Sequence, residues 1–394
     1  MSVILCPGFK AAGVASGLKK NGQKDLGLIY SQVPATVAGL FTKNRVKAAP
    51  VLLDMELIKS GVCQAVIVSS GNANCCTGEQ GMRDARTMTS LAASELGISN
   101  DLVFVASTGV IGAPLPIEKI KTAVPDLVGS LQPEGISDLA RSIMTTDTVP
   151  KTASAQGVVE GKTFTVTAVA KGAGMIRPNM ATMLCFVCTD VGASPEILKE
   201  TLVKASDRSF NRITIDGDTS TNDTVLVMAN GMSGAVIRSL ADKKIFQKVL
   251  NEIFLYLAKQ LIRDGEGVTK LVEIMVRGAV SDSDARKVAD TVAHSPLVKT
   301  SFFGEDANWG RIVGAVGRAG AKVDPDKIDI YFDDVQMVKA GMGCGKAVEA
   351  EATKVLKKSE FVVTVDLNMG RGSGLMYTCD FSVDYVRINA DYRS

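Results

Sequence analysis

Apolar residues along this chain come in two rhythms. Short continuous runs, Ala65 to Val68, Leu102 to Ala106 and Val225 to Met228, are bounded by Gly, Asn, Ser or Asp, the pattern of strands buried on both faces. Longer stretches recur at helical spacing. From Gly78 to Leu96 the residues Met82, Met88, Leu91 and Leu96 fall at roughly helical intervals, and Gly97 follows where a left-handed cap is wanted. From Asp242 to Ile262 the stripe is Ile245, Val249, Ile253, Leu257 and Leu261, one every four residues. Strands and helices mix throughout, which predicts a layered α/β architecture rather than an all-β sandwich or a helical bundle.

The most informative stretch is Lys162 to Asp190, KTFTVTAVAKGAGMIRPNMATMLCFVCTD. Thr163, Thr165 and Thr167 alternate with Phe164, Val166 and Ala168, the period of a strand with one buried face, running up to Lys171. Gly172, Gly174 and Pro178 then break the pattern. Pro178 disfavours helix at Arg177, so residues 172 to 181 are predicted to form an irregular turn. The continuous apolar run from Met183 to Cys188 predicts a second, fully buried strand with Thr182 at its first position. The closing run FSVDYVRINADYRS alternates like a strand and ends in polar residues, the look of a frayed tail.

Composition narrows the chemistry. The 394 residues are 46% apolar and 22% charged, enough for a sizeable core in about two domains or one large one. Lys and Arg number 44 against 42 for Asp and Glu, a net charge of +2 that supplies no broad drive toward nucleic acid or anionic membrane and points to a small ligand. No run of about 18 apolar residues occurs, and the start MSVILCPGFK is too short in apolar residues for a signal-peptide core. The eight cysteines, at 6, 63, 75, 76, 185, 188, 344 and 379, lack the spacing of a secreted disulfide framework. A reducing, cytoplasmic setting is expected.

His294 is the single histidine, so a site with two His ligands is excluded, a Ser-His-Asp triad would have to be built on that residue, and another base is expected for a nucleophile. A threonine can be activated by its own α-amino group once the preceding peptide bond is cut. Such an amine has a pKa of about 7.7 to 8.0, leaving a useful fraction unprotonated near neutral pH. Thr182 is therefore either an ordinary β-former at a strand start or a nucleophile of this kind. Thr108 and Gly109 end the run Leu102 to Ala106, as a plain strand-ending turn or as oxyanion donors. Lys171 closes its strand as a solvated charge or as a fixed cation for an anionic ligand.

Other signals fail on inspection. The loop DGDTSTND at 216 to 223 resembles a calcium loop, but Thr221 stands where glycine is needed and Val227 where glutamate is needed. It reads as a structural loop near the site. Cys185 and Cys188 have CxxC spacing inside a buried run and read as buried thiols rather than metal ligands. The run GMGCGK at 341 to 346 lacks the spacing of a P-loop. His294, before Ser295 and Pro296, reads as a structural or surface residue.

Five strings in order, STGVIG at 107 to 112, KGAGMIRPNMATML from Lys171, DGDTSTND at 216 to 223, RDGEG at 263 to 267 and GEDANWGRI at 304 to 312, resemble the ornithine acetyltransferase family. These enzymes are also called glutamate N-acetyltransferases. The resemblance extends over essentially the whole chain. It implies a sandwich of helices enclosing two packed β-sheets, and self-cleavage between Ala181 and Thr182 into an α chain, 1–181, and a β chain, 182–394. Thr182 would be the nucleophile, and Thr108 and Gly109 the oxyanion hole. Substrate contacts would be Thr145, in IMTTDT, Lys171, Thr182, Glu266, in DGEG, Asn389 and the terminal Ser394, where the family often ends in threonine.

The implied reaction carries acetyl from N-acetylornithine to glutamate by way of Thr182, in cyclic arginine biosynthesis, with acetyl-CoA as a further acetyl donor. No bound cofactor or metal is expected. Two α and two β chains would form a heterotetramer in which the C-terminal tail approaches a neighbouring subunit's site. A self-cleaving amidohydrolase or aminopeptidase on a related scaffold is the second enzyme reading, and a small-amino-acid binding protein is the non-enzymatic one.

Overall fold

The computed structural model describes residues 3–20, 22–177 and 183–391. Ala181, Thr182 and Ser394 lie outside the described residues. The chain divides into two compact units, Met1–Asn211 with Asp218–Leu261, and Arg212–Gly217 with Ile262–Ser394.

The first unit is built on an eight-stranded sheet. Its strands are β1 (Phe9–Val14), β2 (Leu26–Phe41), β3 (Val62–Asn72), β4 (Val103–Val110), β5 (Lys151–Val159), β6 (Lys162–Lys171), β7 (Leu184–Thr189) and β8 (Thr224–Ala229). The order is β4-β3-β2-β8-β7-β6-β5, with β1 paired to β2. Both faces are covered. On one, Ala65 and Ile67 of β3 pack with helices α1 (Ala49–Leu57), α2 (Gly78–Leu96) and α3 (Ile117–Gly129). On the other, Val66 and Val68 join Phe186, Leu226 and helix α4 (Ile136–Ser142). Two apolar faces explain why these strands read as unbroken apolar runs. Helices α5 (Pro195–Arg208) and α6 (Leu240–Arg263) follow β7 and β8.

The second unit has a six-stranded sheet, β9 (Leu271–Ala279), β10 (Asp329–Phe332), β11 (Val335–Lys339), β12 (Met342–Gly343), β13 (Glu360–Asp366) and β14 (Gly372–Cys379). Its order is β12-β11-β10-β13-β9-β14. Along β9, Val272, Ile274 and Val276 point into the core. They meet side chains of α7 (Asp282–Ala293), α8 (Pro296–Phe303), α9 (Trp309–Gly317) and α10 (Lys346–Leu356). Glu273, Met275 and Arg277 alternate outward, the period-two pattern of a sheet with one buried face. The final helix is α11 (Val383–Ala390).

The α/β class with two multi-stranded sheets and helices against them is as the sequence predicts. Helix α2 matches its predicted bounds, and Gly97 closes it with a φ of +67°. In α6 the core-facing surface is wider than the single stripe: Phe246, Leu250 and Phe254 are buried beside Val249, Ile253, Leu257 and Leu261, while Ile245 is exposed.

Three local expectations are corrected. Strand β6 is buried on both faces from Phe164 onward, because Phe246 of α6 packs on Phe164 on one face and the segment at Ile4 covers Thr167 on the other. Thr165 and Thr167 stay satisfied there: Gln156 donates to Thr165 Oγ1 at 3.2 Å, and Thr167 Oγ1 donates to the Ile4 carbonyl at 2.6 Å. Within the closing run, Val383–Ala390 form helix α11 rather than a strand. Ser382 accepts the Tyr385 N–H as an N-cap and Asp384 lies in the first turn, a helix-start signal that the short alternation masks. Finally, Thr108 and Gly109 lie within β4 and not in a loop after it.

Among the described residues no helix is long and apolar enough to cross a membrane.

Candidate active site

Strand β4 runs on through Thr108 and Gly109 because its parallel neighbour β3 also continues, with Ser70 opposite Thr108 and Gly71 opposite Gly109. Gly109 has a φ of +133°, and a Cβ there would stand 2.3 Å from the Gly71 carbonyl carbon. Only glycine fits so close a backbone approach. Asn222 locks the two strand ends, its side-chain amide donating to the Ala73 carbonyl at 2.6 Å and the Ser107 carbonyl at 2.8 Å. Thr108 is half-buried at this rigid end.

A second cluster gathers at the end of the β5–β6 hairpin, where Lys151 pairs with Ala170. Lys171 Nζ donates to Thr145 Oγ1 at 2.7 Å and lies 3.6 Å from Asp147 Oδ2. Lys151 Nζ is 2.7 Å from Asp147 Oδ1. The same carboxylate accepts the Gly172 N–H at 2.7 Å and the Thr145 N–H at 3.0 Å. Burial alone would raise the Asp147 pKa, but the charges of Lys171 and Lys151 and these hydrogen bonds hold it well below the usual carboxylate range. Lys171 is therefore a buried, positioned cation and not a solvated one. Lys171 and Lys151 share the Asp147 carboxylate.

Asp223, just before β8, is fully buried. Among the described residues its Oδ2 has no hydrogen-bond partner. Burial pushes its carboxyl well above the usual range, against the lowering effects of Ser220, Thr42, Lys171 and the Met183 N–H. The Thr224 N–H donates to the Met183 carbonyl at 3.0 Å. Met183, which follows Thr182 in the chain, is thus held at its carbonyl.

In the second unit, Glu266 is 7% exposed and accepts the Asn389 side-chain amide at 2.8 Å. Asn389 belongs to α11, which is anchored by Ser382 Oγ donating to the Gly267 carbonyl at 2.6 Å. Gly267 has a φ of +66°, and a Cβ there would stand 2.4 Å from the Tyr385 N. Glu266 is consequently no exposed loop residue.

The structure brings together Thr145 with Lys171, and Glu266 with Asn389. Sequence reasoning missed Asp147, Asp223 and Asn222. The available signal was position: Asp147 stands two residues after Thr145, while Asn222 and Asp223 sit in a loop already marked as near the site. The weak signals resolve as structural. Cys185 and Cys188 are buried thiols whose pKa burial pushes far up. His294 caps α7, its Nδ1 lying 2.7 Å from the Asp290 carbonyl. Among the described residues no cluster of three or more His, Cys, Asp and Glu is placed to hold a metal ion.

Comparison with known proteins decides the family, since the ArgJ family model matches residues 10–394. The chain belongs to the ArgJ family. An arginine biosynthesis bifunctional protein ArgJ of Geobacter sulfurreducens is 53% identical to this ArgJ-family chain over 389 residues, 98% of this chain and 99% of the relative. The protein of the same name from Syntrophotalea carbinolica is 52% identical over 389 residues, with the same shares covered. A solved structure of arginine biosynthesis bifunctional protein ArgJ from Bacillus halodurans is 43% identical and superposes with a TM-score of 0.50. That match takes in 97% of the solved chain but 52% of this ArgJ-family chain.

Proposed function

We propose that this ArgJ-family chain is an acyltransferase of arginine biosynthesis that moves acetyl from N-acetylornithine to glutamate through an ester on Thr182. The observation that carries this reading is the end-to-end match, at 53% and 52% identity, to relatives named arginine biosynthesis bifunctional protein ArgJ. In the first step the Thr182 hydroxyl attacks the Ala181 carbonyl, the acyl group shifts from nitrogen to oxygen, and water hydrolyses the ester. The products are an α chain, 1–181, and a β chain, 182–394, whose new α-amine serves as the base. The solved Bacillus halodurans chain, almost all of which matches about half of this one, has the length of such a fragment and supports the reading.

In turnover the α-amine takes the Thr182 hydroxyl proton while the oxygen attacks the acetyl carbonyl of N-acetylornithine. Thr108 and Gly109 stabilise the oxyanion, and ornithine leaves with its amine protonated. Glutamate's α-amine then attacks the acetyl ester, and the same donors serve again. Lys171, oriented by Thr145 and Asp147, faces an anionic group of the substrate. Glu266, held by Asn389, takes the ornithine side-chain ammonium, and Ser394 adds a further contact. Acetyl-CoA serves as a second acetyl donor, no cofactor is bound, and two α and two β chains assemble in the cytoplasm.

The amidohydrolase alternative is not favoured by the relatives. Incubation with N-acetylornithine, with and without glutamate, separates the two. Matched release of ornithine and N-acetylglutamate only when glutamate is present is expected; acetate release without N-acetylglutamate would overturn the transferase reading. Formation of N-acetylglutamate from acetyl-CoA and glutamate alone tests the second donor.

A further inference from the structure

Cys75 and Cys76 are adjacent in the loop between β3 and α2, and both are free thiols. Their Sγ atoms lie 3.8 Å apart. They differ in setting: Cys75 is buried in a small apolar cluster with Ala48, Val51 and Ala73, whereas Cys76 is exposed. The loop is tied directly to the strand that carries Thr108 and Gly109. The Ala73 N–H donates to the Val110 carbonyl at 3.0 Å, and the Gly112 N–H donates to the Cys75 carbonyl at 3.0 Å. Asn222 spans the Ala73 and Ser107 carbonyls, and its Oδ1 accepts from Thr221 Oγ1, the hydroxyl that also contacts the Cys75 thiol.

We propose that Cys75 and Cys76 form a vicinal dithiol, a modification site that peroxide-class oxidants close into a disulfide, disturbing the β4 end that it abuts. Cys76 Sγ attacks the peroxide oxygen and breaks the O–O bond, giving a sulfenic acid and one water. Cys75 Sγ then displaces the sulfenic oxygen, which leaves as a second water with the thiol proton. Two electrons pass from the thiols to the peroxide. Burial pushes the Cys75 thiol up, which makes exposed Cys76 the first to react. Closing the bond to about 2.05 Å requires the sulfurs to move together from 3.8 Å. Adjacent cysteines hold the bond in strained geometry, so thiol reductants reopen it readily.

The effect on turnover rests on Thr108 and Gly109 acting as oxyanion donors; disulfide formation does not. The test treats the full chain with hydrogen peroxide and follows both the Cys75–Cys76 peptide mass and acetyl transfer to glutamate. The expected peptide is lighter by about 2 Da, two hydrogens, and transfer falls roughly tenfold or more in step, both restored by dithiothreitol. Cys76→Ser, which keeps the other exposed thiol Cys344, should match the untreated rate and ignore peroxide. A peptide that never loses the two hydrogens, a disulfide with unchanged transfer, or a Cys76→Ser chain inactivated like the parent would each overturn the proposal. A reduced chain that transfers no acetyl counts instead against the acetyltransferase reading, and the peptide mass still decides the dithiol.

Discussion

Lys151 Nζ and Asp147 Oδ1 stand 2.7 Å apart with both side chains withdrawn from solvent. Lys171 shares the same carboxylate, so one acid neutralises parts of two buried cations. Removing it takes the shared carboxylate from both. Asp147→Ala should destabilise the fold by about 3 to 5 kcal/mol, the usual cost of breaking a buried pair from one side. Urea unfolding of the purified variant checks this, and a loss below about 1 kcal/mol would show that the cluster is solvated after all.

Gly109 leaves no room for a side chain. Its φ of +133° and the 2.3 Å approach to Gly71 mean that Gly109→Ala must separate β3 from β4 at the end where Thr108 sits. Backbone strain of this kind costs on the order of 1 to 3 kcal/mol. Transfer should fall by roughly a hundredfold or more, the cost of misplacing one oxyanion donor, at temperatures where circular dichroism still reports a folded chain. A folded variant with the parent rate would remove this strand from the chemistry.

Glu266 and Asn389 form a hydrogen-bonded pair that can hold a cationic side chain. Glu266→Gln preserves the shape and deletes the charge. The KM for N-acetylornithine should rise roughly tenfold or more, while the KM for glutamate, which lacks that ammonium, moves little. Equal rises for both would indicate a structural role.

Asp54 lies fully buried in α1, its Oδ1 accepting the Val105 N–H at 3.0 Å while Oδ2 has no partner among the described residues. Burial pushes its pKa well above the usual value, against the lowering effect of that N–H. A carboxyl whose folded pKa exceeds its unfolded value of about 3.9 contributes fully below that pH, and the contribution is lost as pH rises through the folded value. Asp54→Asn keeps the acceptor without the titration. The Tm of the variant should gain on the parent steadily from about pH 4 upward. Parallel curves would contradict the assignment.

Much of the fold was legible because its signals are local. Helix α2 has a clean stripe and a glycine stop, and the inner strands of the first unit read as unbroken apolar runs because both faces are covered. Where tertiary context decides, the sequence misleads. Thr165 and Thr167 suggest a wet face but are buried once the N-terminal segment with Ile4 and Cys6 packs over them. Helix α11 hides behind a brief alternation although Ser382 caps it. The Asp147 cluster draws its members from Thr145 to Gly172, and only the β5–β6 pairing brings Lys151 level with the end that carries Lys171. The close approach of Gly109 to Gly71 was not legible in the sequence, because Gly71 lies 38 positions earlier.

Whether Thr182 becomes an amino terminus is best tested by intact mass measurement of freshly prepared, active protein. The 41.5 kDa chain of 394 residues should appear as two species of about 19 and 22 kDa, the shares of 181 and 213 residues, the heavier beginning at Thr182, and Thr182→Ala should stay whole. A single unbroken polypeptide that still transfers acetyl would contradict it.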